Sequence, residues 1–96
     1  MSAASIAAAA GAWTLSGDLN FDTAEATLAA AGASPLPESG VVACEGIVAV
    51  DSAALAVLLA IRRRAVAEGR SLAFRGVPKA IAALATLYGV EALISA

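Results

Sequence analysis

Between Ile47 and Ile61 the sequence changes periodicity across a single polar pair, and that change constrains the fold more than any other feature. Before the pair, Ile47-Val48-Ala49-Val50 is small and β-branched, which suits the end of a strand or the loop leaving it. After it, Ala53 to Ile61 is a run of Ala, Leu, Val and Ile in helical spacing. The pair itself is Asp51-Ser52. An aspartate there can accept hydrogen bonds from the free N–H groups of a first helical turn. The spacing therefore predicts a helix beginning at this point, with the Ser52 hydroxyl on its first turn. Leu55, Leu58, Leu59 and then Val66 fall on its apolar face, and Glu68-Gly69 ends it.

The remaining segments arrange themselves around that helix. Ser5 to Ala10 and Ala12 to Leu15, separated by Gly11, predict an N-terminal hairpin. Ser16 to Asn20 is a loop by composition. Asp22-Thr23-Ala24-Glu25 has the spacing of a capping box, predicting a helix over 23–31 with Leu28 inward and Gly32 at its end. Pro35 and Pro37 make 33–40 a connecting loop. Val41 to Cys44 reads as a short buried strand broken by Glu45-Gly46. Ser71 to Arg75 alternates as a strand. Lys79 to Tyr88 follows Pro78 as an amphipathic helix with Ile81, Leu84 and Leu87 inward, and Val90 to Ala96 supplies up to one more turn. Strands separated by helices imply crossovers and a partly parallel sheet.

Several classes of chemistry are excluded at once. Among 96 residues there is no histidine and only one cysteine, Cys44. A Ser-His-Asp triad, a Cys-His nucleophile, a zinc site of the usual ligands and an intramolecular disulfide all fall away. No Gly-rich phosphate loop exists. The net charge of −2 supplies no basic excess for nucleic acid. The longest apolar run, Ala53 to Ile61, is far short of the roughly 20 residues needed to cross a bilayer. No basic region precedes the N-terminal alanines, which argues against a signal peptide. A single cytoplasmic domain over residues 1–96 is the expectation, with no cofactor and no metal.

The polar residues that remain have structural readings first. Asp18, Asp22 and Asp51 could hold a magnesium ion or act as acids and bases, but Asp22 and Asp51 already sit where caps are expected. Arg62-Arg63-Arg64 lies in the C-terminal half of the long helix, where cations complement the dipole, with anion binding as the other reading. Trp13 and Cys44 read as core. Ser52, flanked by Ala53 and Ala54, is a good first-turn residue. It is also a hydroxyl that a partner protein could approach closely, and phosphate there would add about −1.5 to −2 charges.

At this point the residues resemble a family. Leu15-Ser16-Gly17-Asp18-Leu19-Asn20, a capped helix, an apolar strand and then Val50-Asp51-Ser52-Ala53-Ala54-Leu55-Ala56-Val57-Leu58-Leu59 are similar to a STAS domain over nearly the whole chain. The resemblance implies an α/β fold: a mixed four-stranded sheet with three to four helices packed mainly on one face. Two branches differ in function. Glu68 to Val77 and Ala82 to Val90, with Leu87-Tyr88 in the last helix, resemble the Mla-type subunit of phospholipid-transport ABC systems. That branch implies a non-catalytic subunit that binds and regulates the transporter's cytoplasmic ATPase. The chain would then lie at the inner face of the inner membrane through that partner, without inserting. Anti-anti-sigma factors form the other branch. They carry a phosphorylatable serine directly after the aspartate, as Ser52 is here, and their partner is an anti-sigma factor kinase. They usually follow that serine with Ser or Thr and then Gly, where this chain has Ala53 and Ala54, and favour an acidic residue at the position of Asn20. Either branch implies partner contact through Asp51, Ser52, Ala53, Ala54 and Leu55, with Asn20 and Asp22 nearby.

Overall fold

In the computed structural model, which describes residues 5–9 and 11–94, the chain runs β1 (Ser5–Ala9), β2 (Ala12–Leu19), α1 (Phe21–Gly32), β3 (Val41–Val50), α2 (Ser52–Ala67), β4 (Ala73–Arg75), α3 (Lys79–Leu87) and α4 (Glu91–Ile94). The four strands form one sheet in the order β1-β2-β3-β4. Only three of them run parallel: β2 pairs parallel with β3 and β3 with β4, whereas β1 folds back antiparallel on β2 as the expected hairpin. Ala10 and the last two residues lie outside the described residues, so the N-terminal strand is seen only to Ala9 and the C-terminal turn only to Ile94.

Side-chain alternation sets the two faces of the sheet. Trp13 pairs with Val42 and Val42 with Phe74, so these three lie side by side on one face. They are buried together with Leu15, Cys44 and the apolar residues of the helices, including Ala54, Leu58, Ile61, Ile81 and Ile94. The neighbouring row, Thr14-Ala43-Arg75, belongs to the opposite face, where the Arg75 Nε meets Glu45 Oε2 at 3.0 Å in an exposed ion pair. Trp13 is thus core, 1% exposed, and its indole N–H donates to the Pro35 carbonyl at 3.1 Å. That bond ties the proline-bearing loop to the sheet and satisfies the one polar atom of the ring.

The expected boundaries shift in three places. First, β2 continues to Leu19 through the stretch expected to be a loop, and β3 continues through Glu45-Gly46 to Val50. Both continue because β3 takes up extra residues in two irregularities, opposite Thr14/Ser16 and Gly17/Leu19. Gly46 is required there: a Cβ on it would lie 2.9 Å from the Ser16 Cβ and 3.0 Å from the Leu15 carbonyl oxygen. Second, α1 starts at Phe21, capped by Asn20 and not by Asp22. Third, β4 is only three residues long, from Ala73.

Several apolar residues expected inward are not. Leu28 is 39% exposed, because the inner face of α1 is built from Thr23, Thr27 and Ala31. The Thr27 hydroxyl is accommodated there by donating back to the Thr23 carbonyl at 2.9 Å. Leu87 on α3 and Val66 on α2 are also exposed, while Ile81 and Ala85 carry the α3 contact and Leu55, Leu58 and Ile61 carry that of α2. On α1 the small inner face of Thr23, Thr27 and Ala31 lets the helix sit close to its neighbours and leaves Leu28 outside, whereas α2 and α3 bury large residues beside alanines.

Candidate functional site

The parallel strands β2 and β3 end together, with Leu19 opposite Val50. Each is followed by one polar residue and then a helix: Leu19-Asn20-Phe21 leads into α1, and Val50-Asp51-Ser52 into α2. Two helix N-termini, each carrying the partial positive charge of its dipole, therefore emerge at one edge of the molecule. In open parallel sheets this carboxyl end of the strands is where ligands and partners are usually met.

Asn20 and Asp51 both have extended backbones, so each side chain folds forward over the turn that follows. The Asn20 Oδ1 accepts from the amides of Asp22 at 3.0 Å and Thr23 at 3.2 Å. The Thr23 hydroxyl closes the box by accepting from the Asn20 amide at 3.0 Å, and it donates to the Asp18 carbonyl at 2.9 Å. Asn20 precedes the helix by one position and Thr23 can return its bond from the third, so this pair takes the role that spacing had given to Asp22 and Glu25. Asp51 does more than cap its own helix. Its Oδ1 accepts from the Ala53 amide at 2.8 Å, and its Oδ2 accepts from the Phe21 amide at 2.9 Å. One carboxylate thus answers free donors on both helices.

What remains outside this clasp forms the surface. Ser52 is exposed, and its hydroxyl has no hydrogen-bond partner among the described residues. Ala53 is half-buried beside it and Asp22 is exposed. Ala54 and Leu55, expected at the contact surface, are 0% and 4% exposed: they point into the core and hold the first turn of α2 from beneath. Asp18, Asp22 and Asp51 do not assemble, with one another or with any third acid, into a metal-competent group among the described residues.

Two residues that sequence reasoning passed over belong to this end. Phe21 is 81% exposed at the first position of α1, and Val48 is 79% exposed near the end of β3. The signal for Phe21 was its offset from the buried 23/27/31 series, which leaves an aromatic side chain with no place in the core. Val48 falls at the second irregularity of β3, where strict alternation no longer assigns a face. The end therefore combines exposed apolar groups, a hydroxyl, a small half-buried alanine and a carboxylate already committed to backbone amides. Such a surface is suited to contact with another protein and supplies no nucleophile–base pair.

Arg64, the last of the arginine run, serves a different end of the layer. Arg64 Nη1 donates to the Ala31 carbonyl at 2.7 Å and Nη2 to the Ser34 carbonyl at 2.9 Å, while Nε pairs with Glu68 at 2.8 Å. It caps the C-terminus of α1 from α2, as the dipole argument requires, but on the neighbouring helix. Cys44 is fully buried in the sheet. That burial, and secondly the Glu45 carboxylate, push its thiol up to about 12.

A protein-family model described as the Mlab STAS domain matches residues 2–95 of the chain. No curated protein matches it.

Proposed function

The chain belongs to the Mlab STAS-domain family, with that family's general role in protein interaction, and from this premise we propose that it is a non-catalytic subunit of an ABC-type phospholipid transporter. In this role it binds the cytoplasmic ATPase and regulates it without touching ATP, and it takes no cofactor. It reaches the inner face of the membrane only through that partner; no helix among the described residues is long and apolar enough to cross a bilayer.

The observation that carries this reading is the exposed end built on Asp51. The carboxylate fixes two helix N-termini relative to each other, so the surface they present is set before a partner arrives. Pre-ordering of this kind lowers the entropy lost on association. Phe21 and Val48 offer apolar area that the isolated domain leaves in water. The free Ser52 hydroxyl can give or take one hydrogen bond with a partner that approaches past Ala53.

Co-purification with the ATPase subunit of an ABC-type phospholipid transporter tests the proposal, with Ser52→Arg as the control that should lose the complex. Recovery of a kinase-type anti-sigma factor, with phosphate transferred to the Ser52 hydroxyl, would replace it by the anti-sigma factor antagonist reading. The exposure of that hydroxyl is the feature that favours the alternative.

A further inference from the structure

The surface at Ser52 does not stop at the helix N-terminus. Ser52, Ala56, Leu59, Arg63 and Val66 recur at intervals of four and three residues along α2, the spacing that keeps side chains on one stripe of a helix. All are exposed except Leu59, which is partly buried. The stripe spans 14 residue steps, or about 21 Å at the helical rise. It changes character along that length. The end near Ser52 is small, and the other end opens onto a groove of about 240 Å³ lined by Leu59, Arg62, Arg63, Val66 and Leu93, with α4 forming its far wall.

The charges in that groove are uncommitted. Arg64 is spent on α1 and Glu68, Arg70 donates to the Pro37 carbonyl, and Arg75 pairs with Glu45. Arg62 and Arg63 have no hydrogen-bond or ion-pair partner among the described residues. Arg62 and Arg63 thus place two unpaired guanidinium groups beside the apolar side chains of Leu59, Val66 and Leu93. They match a partner element that carries carboxylates next to apolar side chains, and arginine is well suited to hold a carboxylate through two parallel bonds.

We propose that the α2 stripe, from Ser52 to the Arg62/Arg63 groove, is one continuous docking track for an acidic amphipathic helix of the ATPase. The small end admits the helix backbone closely. The groove takes an apolar side chain against Leu59, Val66 and Leu93, and the arginines fix the register through carboxylates. This inference rests on the ATPase reading and adds the course of the interface and the chemistry of the partner's element.

The test is a titration of the purified ATPase subunit with wild-type chain, Ser52→Arg, Arg63→Glu, the double variant Arg62→Glu/Arg63→Glu, and Val66→Asp. All of these positions lie on the outer side of α2, and thermal unfolding of each free variant verifies that the fold is intact. The track predicts that the double variant binds roughly tenfold or more weakly, that Arg63→Glu and Val66→Asp each weaken binding, and that carboxylate-to-lysine changes on the partner helix restore the double variant. Loss of binding in Ser52→Arg with the double variant, Arg63→Glu and Val66→Asp all within twofold of wild type would overturn the track and leave the ATPase reading standing. No complex with the wild-type chain would overturn both.

Discussion

Asp51 Oδ2 accepts a hydrogen bond from the Phe21 amide at 2.9 Å, across 30 positions of sequence. The other oxygen caps α2 through Ala53. A residue that reads locally as a helix cap is therefore also the joint between two helices. The exposed surface around Ser52 inherits its shape from that joint.

Removing the joint should cost stability as well as binding. Asp51→Ala loses a cap and leaves the Phe21 amide without its acceptor, so it should destabilise the fold by about 1–3 kcal/mol in urea unfolding. Asp51→Asn keeps one carbonyl oxygen but turns its NH₂ toward the other amide, and should recover only part of the loss. Equal stability of the Asn variant and wild type would show that the Phe21 bond contributes nothing.

Arg64 makes a comparable tie at the opposite end of α1. Arg64→Met keeps the stem but leaves the Ala31 and Ser34 carbonyls unanswered by the guanidinium, and should lower stability by about 1–3 kcal/mol. Glu68→Gln removes only a half-exposed ion pair and should change stability by less than about 0.5 kcal/mol.

Gly46→Ala tests the irregular pairing of β2 and β3. The added methyl would sit 2.9 Å from the Ser16 Cβ and against the Leu15 carbonyl, which is backbone and cannot swing aside. A loss of about 1–3 kcal/mol is expected by thermal or urea unfolding. The same substitution at Gly32, where a Cβ meets nothing within 4 Å, should be neutral or stabilising.

The Cys44 thiol gives a pH prediction. Its pKa is raised from 9.0 to about 12 by burial and, secondly, by Glu45, so the folded state holds a proton that the unfolded state releases earlier. Its contribution is complete below pH about 9, and stability should fall as pH rises from there toward 12. Cys44→Ala should flatten this part of the pH dependence. Native protein at pH 8 should react with a thiol reagent only at the rate of unfolding, whereas fast labelling would contradict the buried, protonated thiol.

Much of this architecture was legible in the residues. The Asp51 cap, the end of α2 at Glu68-Gly69, the N-terminal hairpin and the Trp13 core position follow from local chemistry that the tertiary structure leaves unopposed. The start of α1 was not legible, because Asn20 and Asp22 are both good caps and only the burial of Leu19 at the end of β2 decides between them. Gly46 misled for a related reason: a glycine after a glutamate reads as a break unless the neighbouring strand's close approach is known. At the candidate site, Ser52 was visible as an exposed hydroxyl. The exposure of Phe21 was legible only once α1 is started at Phe21, and the second bond of Asp51 was not, since it depends on two helix starts meeting at the ends of neighbouring strands. Ala54 and Leu55 were placed with Ser52 by adjacency, but successive helical residues turn about 100° apart and those two face inward.

Docking of the Asp51-clasped end of the domain onto an ATPase is tested by the affinity of the purified ATPase subunit for four forms of the chain: wild type, Ser52→Ala, Ser52→Arg and Phe21→Asp. Circular dichroism and thermal unfolding are recorded on each form alone. Wild-type folds are expected throughout, with a tight complex for wild type, a modest loss for Ser52→Ala, and at least tenfold weaker binding for Ser52→Arg and Phe21→Asp. Unchanged binding in both of the last two variants, with their folds intact, would contradict it.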